Sequence, residues 1–435
     1  MKRLFFLLAL ILASCACGSK EEVKPGPQPE PRPEPSEEEE IRVPLTASIT
    51  HAQPFTGLVM WTDNSARTRD YVQLEYSYMQ YNKVCKEKDV YDWSPVDRLL
   101  ADVASRGHQV VLRFYYVYPG KKCTVPDYIK SWPGYEETVG KSEGRTTYFP
   151  DWRCEELQRF HMEFYRLFAQ RYDQDARLAY LETGFGLWAE YHIYDGPFVL
   201  GKTFPSKEFQ GEFLTAMDGW FQETPWLFSI DAANSKYGPF QSNPALLDLN
   251  FGNFDDSFMC EEWDSENGQN WQFLGTARYK KAPLGGELSY YDDNGKDYDQ
   301  KHCLDKKGMY GRTFEQLAAR THLTFIIGND QPGYQTEARL KEVSLAMGYR
   351  FQVRDFLVKE GEYARVLMAN VGVAPIYRDA FVQVEGVKGD YNLRNLMPGQ
   401  EQWVTIPCKA TTSSKPSISC DHLVSGQEIQ FEASF

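Results

Sequence analysis

Along the middle of the chain, short apolar runs alternate with stretches that have the spacing of amphipathic helices. The clearest unit begins with an aromatic-rich apolar run at 72–78 and ends with a second apolar run at 110–116. Between them, Ser94 can cap a helix, Pro95 suits its first turn, and apolar residues recur at helical spacing until Gly107. The pattern predicts a β-α-β unit.

Similar units fill residues 49–348. Strand-like runs lie at 57–61, 72–78, 110–116, 178–186, 226–230, 257–260, 282–288 and 323–327. Eight parallel strands separated by helices predict a closed (β/α)8 barrel, the TIM barrel. An open doubly wound sheet is the alternative, but no GxGxxG turn follows the first strand to support dinucleotide binding. From residue 349 to residue 435 the pattern changes to period two, which predicts a small C-terminal all-β sandwich.

The N-terminus has the features of an export signal. Lys2 and Arg3 precede an apolar stretch that is too short to span a bilayer, and this stretch ends in Leu-Ala-Ser-Cys, which resembles the bacterial lipobox. We therefore expect residues 1–15 to be a lipoprotein signal peptide with Cys15 lipidated; the alternative is an ordinary secretory peptide with a chance cysteine. The Ser-Lys-Glu-Glu that follows resembles a tag for the outer face of the outer membrane, and the Pro- and Glu-rich residues 16–48 predict an extended tether.

The composition limits the classes of ligand and partner that we expect. The chain has 61 acidic and 47 basic residues, a net charge of -14, so its surface should repel nucleic acid. With 27 Tyr, 27 Phe and 10 Trp, it has enough rings for some to line a site. Its nine cysteines include no CxxC pair, so we expect no metal ion, and we expect no organic cofactor. Export makes disulfides plausible, with Cys408 and Cys420 as the most local pair.

Two carboxylates stand at strand ends, where barrels of this kind place their chemistry. Glu190 follows the fourth strand in LETGFGLWAEYH, and Glu287 ends the seventh in APLGGELSYY. Hydrolysis of a glycosidic bond needs two carboxyl groups, because one protonates the departing oxygen and the other attacks or activates water. The alternative for either glutamate is an ion-pair or hydrogen-bonding role at the rim.

At these motifs the sequence resembles a known family. YDWSPVDRLLADVASRGHQVVLRF, GFGLWAEYH, NFDDSF, GGELSYY and NVGVAPIYRDAFVQV resemble the exported bacterial proteins catalogued as domain of unknown function 4832, over nearly all of the mature chain. The resemblance implies a fold similar to barrel glycoside hydrolases, with Glu190 as acid/base and Glu287 as nucleophile. Ala189 and Tyr191 depart from the Trp-Gly-Glu-Trp-His signature of the family. Those hydrolases usually carry Asn directly before the acid, and Ala189 cannot hydrogen-bond a sugar hydroxyl as Asn does.

Further side chains are candidates for contact with substrate. An arginine can orient a carboxylate or bind an acidic sugar, although a structural salt bridge is the equal alternative, and rings stack on the apolar faces of sugars. The candidates are Arg113, Tyr115, Trp188, His192, Asp231, Trp263 and Tyr290. Glu182 lies eight residues before Glu190, ~26 Å if extended, so we do not expect both to reach one bond. Asp255 and Asp256 either belong to the barrel mouth or start a loop, and we favour the loop.

These observations predict a lipid-anchored glycoside hydrolase on the outer membrane, facing the cell exterior. It would cleave an oligo- or polysaccharide, with retention of configuration if the carboxyl groups approach ~5 Å. The alternative is a glycan-binding protein that uses the barrel mouth without cleavage, which the absence of Asn at position 189 favours.

Overall fold

A computed structural model describes residues 40–291 and 299–435. Eight parallel strands close into a barrel, because the last pairs with the first. They are β1 (Gly57–Trp61), β2 (Val72–Gln80), β3 (Gln109–Tyr115), β4 (Leu178–Glu182), β5 (Trp226–Ser229), β6 (Gly252–Phe258), β7 (Leu284–Leu288) and β8 (Phe325–Ile327). The predicted closed barrel is confirmed, although β6 begins five residues earlier than the apolar run at 257–260 indicated.

Helices follow most of the strands. They are α1 (Ser94–Ala104), α2 (Glu155–Tyr172), α3 (Lys207–Trp220), α4 (Asn267–Gly275), α5 (Phe314–Thr321) and α6 (Glu337–Leu345), with short helices at Tyr81–Val84, Asp127–Lys130 and Asp299–His302. In α2, Leu157, Phe160, Phe164 and Phe168 recur at helical spacing and are all fully buried, which fixes the face that packs on the barrel. Two small hairpins join Cys85–Glu87 to Val90–Tyr91 and Thr138–Ser142 to Arg145–Phe149. Within residues 40–291 and 299–435, no helix combines the length and the apolarity needed to cross a bilayer.

Apolar side chains fill the barrel below the carboxyl ends of its strands. Val59, Leu74 and Phe254 belong to one buried cluster, in which the rings of Tyr180 and Phe325 stack with centroids 4.7 Å apart. Gly285 makes room for the Phe325 ring, since a Cβ at that glycine would lie 2.2 Å from it. The packed interior leaves the carboxyl ends of the strands as the place for a site.

The C-terminal region forms two further sheets. Its strands are β9 (Phe351–Lys359), β10 (Tyr363–Asn370), β11 (Phe381–Val384), β12 (Val387–Asn392), β13 (Glu401–Ile406), β14 (Pro416–Ser419) and β15 (Phe431–Ser434). The larger sheet has the order β13-β10-β9-β15, and the smaller has the order β12-β11-β14. Two short strands at Ile41–Arg42 and Thr46–Ala47 join the larger sheet through β9 and β15, so part of the stretch that we assigned to the tether pairs with this region.

The structure corrects one expectation about the cysteines. All seven cysteines in the described part of the chain are free, so the predicted pairing of Cys408 with Cys420 is wrong. Six of the seven are buried among other side chains. Cys15, Cys17 and the signal peptide lie outside the described residues.

Candidate active site

The loop that follows β4 folds back on the end of that strand. The backbone N–H groups of Phe185 and Gly186 donate to the carbonyl oxygen of Glu190 at 3.2 and 2.8 Å, and Glu190 N–H donates to the Leu187 carbonyl at 2.8 Å. The chain from Glu182 to Glu190 is therefore a compact turn. The separation of ~26 Å that we assumed for an extended chain therefore does not apply, although Glu182 is fully buried against Arg113.

Two glycines make this turn possible. A Cβ at Gly184 would lie 1.8 Å from the carbonyl oxygen of Ala189, and a Cβ at Gly186 would lie 1.8 Å from that of His192. Trp188 and Ala189 take the left-handed conformation, with φ of 52° and 60°. The glycines that the sequence places near Glu190 thus shape the loop that carries it.

His192 joins the carboxylates of Glu190 and Asp231. Its Nε2 atom lies 2.8 Å from Glu190 Oε2, and its Nδ1 atom contacts Asp231 in the turn at Ile230–Ala233. Burial lowers the pKa of His192, but the negative charges of Glu190 and Asp231 outweigh burial and raise the pKa well above its usual value. The imidazole is therefore positively charged near neutral pH and forms an ion pair with each of the two carboxylates.

Among the described residues, these three side chains also form the group whose ligand atoms lie close enough together to hold a metal ion. One ligand atom from each of Glu190, His192 and Asp231 lies within 4.8 Å of the others. Each ring nitrogen of His192 lies at ion-pair distance from a carboxylate oxygen, but the contact of Nε2 with Glu190 lacks the geometry of a hydrogen bond.

Glu287 lies near the end of β7, partly buried at the barrel mouth. Burial raises the pKa of Glu287 to about 8, the nearby charge of Glu190 adds to the increase, and Arg113 opposes it. The Tyr290 hydroxyl hydrogen-bonds to Glu287. The charge of Glu190 therefore influences Glu287, and Glu287 holds a proton near neutral pH.

Arg113 lies beneath this pair, with 1% of its side chain exposed. Its Nη1 atom is 3.4 Å from Glu182 and 3.0 Å from Asp256, while Nη2 and Nε donate to the Ala189 carbonyl at 3.0 and 3.3 Å. The structural salt bridge that we left as an alternative is what the structure contains, and Arg113 is not free to hold a sugar. Through the Ala189 carbonyl it fixes the residue directly before Glu190.

Both carboxyl groups that pair with Arg113 have raised pKa values. Burial raises the pKa of Glu182 to about 7, and Arg113 and the Tyr76 hydroxyl, which donates to Glu182 at 3.1 Å, oppose the increase. Burial raises the pKa of Asp256 well above its usual value, and the charge of Glu190 adds to the increase. The barrel mouth therefore contains several carboxyl groups, and Arg113 and His192 are the positive charges that contact them.

Three assignments from the sequence need correction, two in β6 and one in the turn that follows it. Asp255 and Asp256 are strand residues and not part of a loop. Asp256 faces Arg113, whereas Asp255 accepts a hydrogen bond from the indole N–H of Trp263 at 2.8 Å. Trp263 is 1% exposed, so it is a core residue and offers no surface for a sugar.

A row of rings borders the carboxylates. Trp188, one of the predicted sugar platforms, is partly exposed, and its ring centroid lies 6.3 Å from Tyr118 and 6.2 Å from the exposed Tyr194. Tyr115 is 5% exposed, and its hydroxyl accepts from Gln80 at 2.8 Å, so it forms part of the wall. Tyr290 is 41% exposed beside Glu287.

Sequence reasoning underrated Glu182 and Asp256. Alternate residues of a barrel strand face inward, and both carboxylates stand two positions after an inward aromatic residue, Tyr180 and Phe254 respectively. Applied to every strand, this period-two rule places Glu182, Asp256 and Glu287 at the mouth. The rule could have identified Glu182 and Asp256 as buried carboxylates, but it does not show that both pair with Arg113.

Comparison with known proteins gives similarity of fold only. No family model and no curated protein matches the chain, so the resemblance to domain of unknown function 4832 stays a prediction. Among solved structures, endo-glycoceramidase II from Rhodococcus sp. has 11% identity and a TM-score of 0.42, covering 83% of this chain and 100% of its own. The catalytic domain of β-amylase from Paenibacillus polymyxa has 12% identity and a TM-score of 0.40, covering 62% of this chain and 90% of its own.

An α-galactosidase from Thermus thermophilus has 14% identity and a TM-score of 0.39, covering 74% of this chain and 66% of its own. These structural neighbours are glycoside hydrolases. At TM-scores below 0.5, the roles of individual residues in this chain rest on its own geometry.

Proposed function

We propose that this protein hydrolyses a glycosidic bond with Glu190 and Glu287. The proposal is supported by the position of Glu287 on β7 and of Glu190 in the loop after β4, and by the charge of Glu190, which adds to the increase that burial causes in the pKa of Glu287. One protonated and one ionised carboxyl group is the equipment that glycoside hydrolysis needs.

The charges around the pair support one assignment of roles. Glu287, which keeps its proton by burial, protonates the departing oxygen. Glu190, whose Oε2 atom lies 2.8 Å from His192 Nε2, attacks the anomeric carbon, and the glycosyl ester that forms is then hydrolysed with retention of configuration. This assignment reverses the roles that the family resemblance implies. Asp231 orients His192 and has no contact with the reacting atoms in this scheme.

The test replaces each glutamate by the neutral, nearly isosteric glutamine. Wild-type protein should release sugar from at least one member of a panel of aryl glycosides and polysaccharides. Glu190→Gln and Glu287→Gln should each lower kcat by at least about 100-fold, since each removes an acid, base or nucleophile. Thermal unfolding of both variants should remain cooperative, and wild-type turnover in both would exclude the proposal.

A second function is favoured by one observation. Ala189 stands directly before Glu190, is fully buried, and has a methyl group that cannot hydrogen-bond a sugar hydroxyl. A glycan-binding protein that uses the mouth without cleavage would tolerate this residue. Binding of a glycan with no release of reducing ends from it would select this function.

We also propose that the chain works at the outer surface of the outer membrane, anchored by a lipid on Cys15, with an oligo- or polysaccharide as its partner. The Leu-Ala-Ser-Cys sequence and the Pro- and Glu-rich residues 16–48 support this location. The two C-terminal sheets would pack as a β-sandwich that supports the barrel. Cys15→Ala should abolish incorporation of labelled palmitate and release the protein from membranes, and unchanged membrane association would contradict the anchor.

A further inference from the structure

A cavity of about 840 Å³ adjoins the barrel mouth, and its charge is opposite to that of the mouth. It is lined by four cations, Lys83, Lys86, Arg98 and Lys121, and by one carboxylate, Asp92. We call this cavity the basic groove. In a chain with a net charge of -14, four cations around one cavity are a local reversal of sign.

The cations of the basic groove are available to a ligand. Lys83, Lys86, Arg98 and Lys121 are exposed, and none has a carboxylate within ion-pair distance among the described residues. Lys86 donates to a backbone carbonyl at 2.7 Å and Arg98 to a serine hydroxyl at 3.1 Å. The Nζ atom of Lys121 lies 3.7 Å from the centroid of the Tyr118 ring, which aims it along the groove wall.

Aromatic rings connect the basic groove to the catalytic carboxylates. Tyr78 and Tyr118 line the groove, and their ring centroids are 6.2 Å apart. Tyr118 lies 6.3 Å from Trp188, which stands two residues before Glu190. Tyr78 pairs in register with Arg113, whose guanidinium holds the loop of Glu190. A chain of sugar rings that leaves the mouth over these aromatic faces would enter the groove.

We infer that the basic groove binds an anionic group, a carboxylate or a sulfate ester, on a sugar that flanks the scissile bond. This inference rests on the proposed function, because it specifies the class of sugar substrate that would bind at the same barrel mouth. The charged group belongs on a flanking sugar and not on the sugar that is cleaved, since the mouth itself holds Glu182, Glu190, Asp231, Asp256 and Glu287. The cations of the mouth, Arg113 and His192, are already paired with these carboxylates, whereas the lysines of the groove can attract an anion.

Binding measurements test the inference in the Glu287→Gln variant, which should not turn substrate over. One pair of probes is an oligogalacturonate hexamer and its carboxyl-reduced form. The other pair is a carrageenan hexasaccharide before and after desulfation, so the two pairs separate carboxylate from sulfate. We expect at least one anionic probe to bind about tenfold more tightly than its neutral form at low salt, with the difference lost near 1 M salt.

A matched pair of charge variants locates the effect. Replacing Lys83, Lys86 and Lys121 together by Gln should weaken binding of the anionic probe about tenfold and leave the neutral form unchanged. The control replaces Lys280, Lys409 and Lys415 by Gln, which removes the same charge from exposed positions before β7 and beyond β13. The control should bind as the parent does.

The outcomes separate this inference from the proposed function. Equal affinity for anionic and neutral probes, binding of neither anionic probe, or an unchanged preference in the groove variant overturns the inference. Wild-type protein that cleaves no glycan, yet binds an anionic probe through the groove, overturns hydrolysis and leaves the groove assignment intact.

Discussion

The charge state of Glu287 is set by its surroundings at the barrel mouth. Burial and the charge of Glu190 raise its pKa to about 8, so the proton is held at neutral pH and lost as the pH rises through about 8. If Glu287 is the general acid, kcat/KM should fall along an alkaline limb near this pH. A pH–rate profile of Glu287→Gln, measured with an aryl glycoside whose leaving group needs no protonation, should lack that limb. The same limb in the variant would contradict the assignment.

The same raised pKa has a consequence for stability. Between pH 4.5, the ordinary pKa of a glutamate, and about pH 8, the folded state binds a proton at Glu287 that the unfolded state has released. The contribution of Glu287 is therefore fully present below about pH 4.5 and is lost as the pH rises through about 8. Urea unfolding should give a steeper decline across this range for wild type than for Glu287→Gln, and parallel curves would contradict the buried proton.

Arg113 offsets the cost of buried carboxylates. Glu182 is fully buried and Asp256 is 9% exposed in its side chain, so Arg113→Met would leave carboxyl groups without their cation. Breaking a buried pair costs about 3–5 kcal/mol, whereas an exposed pair contributes under about 1 kcal/mol. Arg354→Met is the control, because Arg354 pairs with Glu401 with about half of each side chain exposed. Similar losses in unfolding free energy for both variants would refute the role of Arg113.

At the scale of elements, the loop after β4 determines where Glu190 lies. In Gly184→Ala the new Cβ would overlap the Ala189 carbonyl at 1.8 Å, and relief of the overlap must displace the turn. We expect a loss of about 1–3 kcal/mol in unfolding free energy and a fall in kcat, since Glu190 moves with the turn.

A matched glycine provides the control for that substitution. Gly219 in α3 has nothing within 4 Å of a Cβ, so Gly219→Ala should raise the unfolding free energy by about 0.4–1 kcal/mol and leave kcat unchanged. Denaturant unfolding and turnover of both variants check the contrast. Normal turnover in Gly184→Ala would show that the turn does not position Glu190.

The sequence predicts elements better than it predicts their contacts. Local periodicity was enough for the closed barrel and for the strand that carries Glu287, but β4 ends at Glu182, and Glu190 lies in the loop that follows it. It failed at β6, because Asp255 and Asp256 are unusual strand residues, and their burial is explained only by partners such as Arg113, 143 residues away. It also failed at Trp263, since a tryptophan in a polar stretch gives no sign of the core that covers it.

At the scale of the whole molecule, the barrel and the C-terminal sheets share one core. Residues 40–435 form one compact unit, and a single buried cluster includes Phe55 and Phe325 from the barrel and Phe351 and Val366 from the sheets. Packing, and not covalent cross-links, holds the described part of the chain, because its seven cysteines are free.

The free cysteines give a test of this account of stability. A reducing agent should leave the thermal midpoint of the protein unchanged. Titration of the denatured, unreduced protein should find at least seven thiols. A lower midpoint on reduction, or fewer thiols, would show a disulfide among residues 85–420.

Covalent trapping tests the central claim most directly. The full-length protein is incubated with 2,4-dinitrophenyl 2-deoxy-2-fluoroglycosides of several configurations, because a retaining enzyme forms a glycosyl ester on its nucleophile. Mass spectrometry of the digested protein then locates the label. We predict one label, on the peptide that contains Glu190. A label on Glu287 would restore the roles that the family resemblance implies, and a label on a residue outside the pair would contradict the mechanism.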